Sequence, residues 1–447
     1  MRKSIITTTF ICVAALAHAQ TNPAITAWLQ NKTITARHYV SGNSTPINDA
    51  DLVNCQAVQY NSTEVYVSTT GLPSYVTGPF LDGNPSLATN QNAIFKYPLN
   101  PAKNTGSPVA TSGGNIGSFI NGVALFDYRD GVAWNNTTKA LCGGPGNPPC
   151  PGAPGTAQNW NRDAILAEKG GFDCAKAHPA MGNYHHHQNP SAFNLDLTVI
   201  STICNLYNAD GLYAIDSNKH SPLIGFAYDG FPIYGAYGYK NVDGTGGVLR
   251  IKSSYSLNSG ITRSLGPDVS ATYPLGYFRE DYKYTASTEK DFLDEHNGRF
   301  CITPEYPAGI YCYFATIDAK WNSAYPYVVG PTFYGTIQAA KVATVPAGTT
   351  TYNATTGIAQ SNLLDAQINV FPNPASELLI IQMLDINKEN LTIELFDMAG
   401  KLLESTNLFA GSTIAYFDTK TIYSGQYLLR ITNDKSVVTK RVVIAKE

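Results

Sequence analysis

Ala177-His178-Pro179-Ala180-Met181-Gly182-Asn183-Tyr184-His185-His186-His187-Gln188-Asn189-Pro190 carries four of the eight histidines in a chain of 447 residues. Pro179, Gly182 and Pro190 interrupt any helix and Asn183 favours a turn, so the stretch reads as extended chain. Side chains alternate between the faces of a strand, which puts His185 and His187 on one face and Tyr184, His186 and Gln188 on the other. Two imidazoles pointing the same way need a third donor to make a metal site. His178, just upstream, is the nearest further nitrogen donor.

Outward from this segment the chain reads mainly β. Residues 63–68 alternate as a half-buried strand, and the apolar piece 116–126 reads as another. Residues 223–235 give a strand, an Asp229-Gly230 turn and a second strand, largely buried. The best helix candidate is 160–169, with Asn159 or Asn161 as its cap, and the Gly/Pro-rich run 143–155 is a loop. Charged residues make up only 14%, while Tyr (28) and Gly (38) are plentiful, a mix that suits a β-rich extracellular protein. A net charge of -3 without a basic block gives no phosphate-neutralising surface, so nucleic acid is not expected as a partner. No stretch beyond the N-terminus is apolar enough for a transmembrane helix.

Arg2 and Lys3, an apolar run over 5–16 and Ala17-His18-Ala19 read as a secretory signal occupying residues 1–19. Export to an oxidising compartment favours disulfides. Spacing suggests Cys142 with Cys150 and Cys301 with Cys312, with Cys174 and Cys204 flanking the histidine segment; Cys55 is left free, buried and inert. Residues 342–366 turn to Thr, Ala, Gly and Asn and read as a linker. Short alternating strands then return over 367–447, as in a small β-sandwich. The expected architecture is therefore a large antiparallel β-rich domain over 20–341 with one or two short helices, followed by a small C-terminal β-sandwich.

Tyr184-His185-His186-His187 resembles the Tyr-His-Tyr-His signature of the YHYH domain family, with His186 where the family has its second tyrosine. The resemblance extends in order through Gly71-Leu72-Pro73, Tyr97-Pro98-Leu99, Asn121-Gly122-Val123-Ala124, the segment from His220 to Gly225, the segment from Asp229 to Gly235, Asn297-Gly298-Arg299, Thr303-Pro304-Glu305-Tyr306-Pro307 and Tyr325-Pro326-Tyr327. It implies a fold and a motif but no established reaction. The last eighty or so residues resemble the type A sorting domain of the type IX secretion system of Gram-negative bacteria. That resemblance implies a protein routed across the outer membrane, secreted or held on the outer cell surface, with the secretion machinery as a partner.

The donor set suggests the metal. Imidazole suits copper and zinc, and a carboxylate ligand from Asp229, Asp294 or Glu295 would tilt the choice toward zinc or iron. His220 and His296 lie within family-matching motifs and are further ligand candidates, while His186 is expected to pack where the family has tyrosine. Asp229 in its Asp-Gly turn has a backbone role as an alternative, and Asp294, Glu295 and His296 form either an acid-base group, a Ca²⁺ contact or a solvated turn. No residue receives a catalytic role, since nucleophile elbow, HExxH, Walker A and dinucleotide motifs are all missing. Two readings stand: a metal-binding secreted domain, either a metal-dependent enzyme or a metal carrier, and a surface binding or adhesion module for carbohydrate or another extracellular ligand, with structural histidines.

Overall fold

A strand covered on both faces needs an unbroken apolar run. Leu223-Ile-Gly-Phe-Ala227 supplies one, and all five of its residues are buried. In the computed structural model it lies inside an eight-stranded sheet whose order is Ala177–Ala180, Asn183–His186, Ala124–Phe126, Asn115–Phe119, Leu223–Ala227, Pro232–Tyr234, Ile310–Phe314 and Gly298–Cys301. Pairing is antiparallel except where Asn183–His186 meets Ala124–Phe126 and where Pro232–Tyr234 meets Ile310–Phe314. The structure describes residues 22–446 apart from 44, 81–86, 145, 153–157, 191–211, 213–214, 354–367, 385–388, 398–400 and 434–436. The expected signal segment 1–19, Cys204 and much of the expected linker lie outside the described residues.

A second sheet of five strands, Ala340–Val342, Ala93–Pro98, Glu64–Thr69, Cys55–Tyr60 and Thr350–Tyr352, shares the core of the first. Trp28, Tyr97 and Phe226 meet between them, with ring centroids 5.3–6.0 Å apart, and the Tyr97 and Ser118 hydroxyls are 2.6 Å apart. Each large apolar side chain buried there contributes about 1.5–3 kcal/mol. Residues 368–444 form seven strands in two sheets of three and four around a separate core. Leu391, Ile393 and Leu395 face inward from one strand and Leu429 and Ile431 from its neighbour, the period of two expected of a β-sandwich.

Among the described residues the fold is mainly β with two short α-helices, Pro23–Thr26 and Ala164–Glu168. Four details differ from the sequence reading. The apolar piece 116–126 is a hairpin of Asn115–Phe119 and Ala124–Phe126; Asn121 Oδ1 accepts from Val123 N at 3.1 Å and Gly122 adopts φ +79°, so Asn-Gly turn chemistry overrides apolar continuity. The helix begins at Ala164 because Asp163 caps it, accepting from Ile165 N at 2.8 Å and Leu166 N at 3.3 Å. Asn161 is instead in a strand, its side chain bonded to Gln158 and Glu280.

Cys301 and Cys312 are buried free thiols. Their strands pair Cys301 with Ile310 and Arg299 with Cys312, so the two cysteines are diagonal neighbours. Their thiols nonetheless lie within hydrogen-bonding reach of each other. Lastly, Thr350–Tyr352, inside the stretch read as linker, pairs with Cys55–Tyr60. The Cys142–Cys150 disulfide closes the Gly/Pro loop, Cys55 is free and buried, and Cys174 is disulfide-bonded.

Candidate metal centre

The histidine stretch is a hairpin. Ala177–Ala180 pairs with Asn183–His186 in a register that sets His178 directly opposite His185. Cross-strand partners share a face, so two imidazoles meet side by side. The connection is two residues long, Met181 at φ +49° and Gly182 at φ +82°, the positive-φ pair that matches strand twist in a tight hairpin. A Cβ on Gly182 would lie 2.1 Å from Thr89 Oγ1, so the turn admits glycine there alone. His187 follows the strand and is turned by Asp127, whose carbonyl oxygen accepts from its Nδ1 at 2.6 Å. Asp127 is itself fixed by Arg129, which donates from its backbone N at 3.0 Å and from Nη2 at 3.0 Å.

Four donor atoms converge on the buried face. His185 Nε2 lies 3.1 Å from His187 Nε2, and Glu168 Oε2 lies 3.2 Å from His178 Nε2 and 3.3 Å from His187 Nε2. The ligand atoms of the three histidines all fall within 4.8 Å of one another. Two atoms each about 2.0–2.1 Å from one ion at near-tetrahedral angles stand about 3.1–3.4 Å apart, which the three closest spacings match and the 4.8 Å limit exceeds.

Proton positions sharpen the point. His185 Nδ1 bonds the carbonyl of Asn183 at 2.8 Å and His187 Nδ1 that of Asp127. A carbonyl only accepts, so both Nδ1 atoms carry hydrogen and both rings turn Nε2 inward, where it can hold a proton or a cation. Two lone pairs at 3.1 Å repel unless a proton or a cation lies between them. Glu168 Oε2 is buried and receives no aligned hydrogen bond from any described residue. Burial, followed by the His187 and His178 imidazoles, holds the His185 ring well below its usual pKa. Burial alone would raise the Glu168 carboxyl, but the His178 and His187 imidazoles outweigh it and hold the group well below the usual carboxylate range. Phe126 stacks on His185 at 3.8 Å, and Phe172 packs edge-on against His178 at 5.0 Å. These rings fix the imidazole planes and keep the surroundings apolar.

The remaining candidates lie elsewhere. His186 points to the opposite face, its Nε2 2.9 Å from the Tyr75 hydroxyl and its Nδ1 3.3 Å from the Lys176 carbonyl, with burial pushing its pKa down to about 3. Tyr184 donates to Asp173 at 2.8 Å. His220 packs between Tyr234 and Tyr239, with Nδ1 2.7 Å from the Ser221 carbonyl. His296 sits 2.8 Å from Thr332 Oγ1, and Glu295 is half exposed, 3.8 Å from the His296 ring. Asp229 accepts from the Tyr313 hydroxyl at 2.5 Å and from Gly335 N at 2.8 Å; Asp294 accepts from the Tyr311 hydroxyl and from the backbone of His296 and Gly298. Among the described residues, His178, His185 and His187 are the one group of three whose ligand atoms all lie within 4.8 Å of one another, with Glu168 joining through its contacts to His178 and His187. Glu168 was not named from the sequence. Its one signal was its place near the end of the predicted helix, shortly before Gly170-Gly171 and the histidines.

The YHYH protein family matches residues 94–326, more than half of the chain, and the secretion system C-terminal sorting domain matches residues 369–445. The C-terminal match routes the chain through the type IX system to the cell surface or the extracellular space. No helix among the described residues is long and apolar enough to cross a membrane. No curated protein matches the chain. A solved structure of a DUF3244 family protein with an immunoglobulin-like β-sandwich fold from Bacteroides vulgatus is similar at 20% identity over 18% of this chain and 84% of that one, with a TM-score of 0.16.

Proposed function

The chain belongs to the YHYH protein family, and from that premise we propose that it is a secreted metal-binding protein whose centre holds one divalent transition ion through Nε2 of His178, His185 and His187 and the carboxylate of Glu168. The observation that carries this reading is the convergence of inward imidazole nitrogens and a buried carboxylate oxygen in contacts of 3.1–3.3 Å. Facing lone pairs in such a cluster are unfavourable unless a proton or a cation lies between them, since a buried polar atom left unpaired costs about 1–3 kcal/mol. A cation at their centre turns the same atoms into ligands.

Zinc is favoured over copper. Three imidazoles and one carboxylate suit a d¹⁰ ion without geometric preference, whereas Cu²⁺ favours a tetragonal plane. His185 and His187 are oriented by backbone carbonyls, the outer arrangement that fixes tautomer and direction in zinc sites. The test is elemental analysis of the purified full-length protein beside His185→Ala. Near-stoichiometric zinc in the parent, lost in a variant with unchanged circular dichroism, supports the reading. A parent that retains neither zinc nor copper after incubation with each overturns it.

A further inference from the structure

The four donors are not held alike. His178 and His185 stand on paired strands of the eight-stranded sheet and His187 follows directly, and their side chains are almost wholly buried, His178 at 8% and His187 at 3% exposure. Glu168 stands outside that sheet as the last residue of a five-residue helix, and its side chain is 22% exposed. Lys169, Gly170 and Gly171 follow it, and a Cβ at Gly170 would meet open space. The outer restraints differ as well. Backbone carbonyls pin His185 and His187, whereas the only ion-pair or hydrogen-bond partners of the Glu168 carboxylate among the described residues are the His178 and His187 rings themselves. A ligating carboxylate is ordinarily hydrogen-bonded by further groups that hold it in place.

We propose that Glu168 is an exchangeable ligand: its carboxylate leaves the centre and a small carboxylate from solvent takes the vacated position on a three-histidine site. This inference rests on the metal-binding reading above. One metal–oxygen contact breaks and one forms, an anion replaces an anion, and neither electrons nor protons change hands. The three histidines stay in place because the paired strands position His178 and His185 and backbone carbonyls orient His185 and His187, independently of the helix. The ligand class is set by what is displaced: a monoanionic oxygen donor small enough to fill the space of the Glu168 carboxylate.

The test uses full-length protein stripped of metal and loaded with Co²⁺, whose visible spectrum reports its ligands. Acetate is titrated into the parent, Glu168→Gln and Glu168→Ala. Both variants are expected to bind one Co²⁺ per chain and to change spectrum at acetate concentrations about tenfold or more below those the parent needs. Two results overturn the proposal: loaded variants whose spectra acetate leaves unmoved, or variants with parental circular dichroism that no longer hold Co²⁺, which makes Glu168 a fixed ligand. A parent that takes up no Co²⁺ instead overturns the metal-binding reading beneath it, and is distinguished from a loaded parent by the missing visible bands.

Discussion

The two faces of one hairpin hold the same residue type at the same depth and treat it in opposite ways. On one face His186 is fully buried and satisfied, with the Tyr75 hydroxyl at one nitrogen and the Lys176 carbonyl at the other. On the other, His185 is equally buried, yet its inward nitrogen meets another imidazole nitrogen at 3.1 Å. Burial of a histidine therefore says little about its role. What distinguishes a ligand is an outward nitrogen fixed by an acceptor and an inward one left without a donor. The carboxylates repeat the contrast: Asp229 is buried with donors from Tyr313, Gly335 and Phe231, whereas Glu168 Oε2 is buried with none aligned.

The largest effect that would break this contrast is on metal-linked stability. At free zinc a thousandfold above Kd, bound ion adds about 4 kcal/mol to unfolding. Thermal melts with zinc and with chelator should differ accordingly in the parent and coincide in His185→Ala. Equal melts in the parent would erase the difference between the faces.

The buried carboxylates give the next effect. Burial raises the Asp229 carboxyl from 3.8 to about 6. Its folded-state value lies above the unfolded one, so it contributes stability that is fully present below about pH 4 and lost as pH rises through about 6, at most about 3 kcal/mol. Denaturant unfolding at pH 4 and pH 7 should show that loss in the parent and a smaller one in Asp229→Asn. An identical pH dependence in the two proteins would rule out the assignment to Asp229.

On the satisfied face, His186→Ala should cost about 2 kcal/mol through a lost hydrogen bond and an unfilled volume beside Phe119, while zinc content stays unchanged. Zinc loss there would contradict the separation of the faces. The last effect belongs to the helix cap. Asp163→Ala removes the acceptor for Ile165, Leu166 and the buried Tyr327 hydroxyl and should destabilise by about 1–2 kcal/mol. By loosening the helix that bears Glu168 it should also weaken zinc affinity, measurable by competition with a chromophoric chelator, by less than His185→Ala does.

Much of this was legible in the sequence. Period-two alternation put His185 and His187 on one face, and the Asp229-Gly230 turn marked its hairpin. His178 was named as the nearest further donor because it was close in sequence, and the register that sets it opposite His185 follows from the two-residue Met181-Gly182 turn. Glu168 was not legible, since it reaches the site through the docking of a short helix, a relation no local pattern carries. The hairpin over 115–126 was hidden because both strands are buried and read as one apolar run, and only Asn121-Gly122 marks the fold-back. Cys301 and Cys312 do come together on paired strands, as their spacing suggested, but as neighbouring free thiols.

The most direct test of the central claim is X-ray absorption at the zinc edge of the zinc-loaded full-length protein. The account predicts a first shell of four light donors at about 2.0–2.1 Å with the outer-shell scattering of three imidazoles, falling to two imidazoles in His178→Ala. A shell containing sulfur at about 2.3 Å, or one with the same imidazole count in parent and variant, would place the ion elsewhere and contradict it.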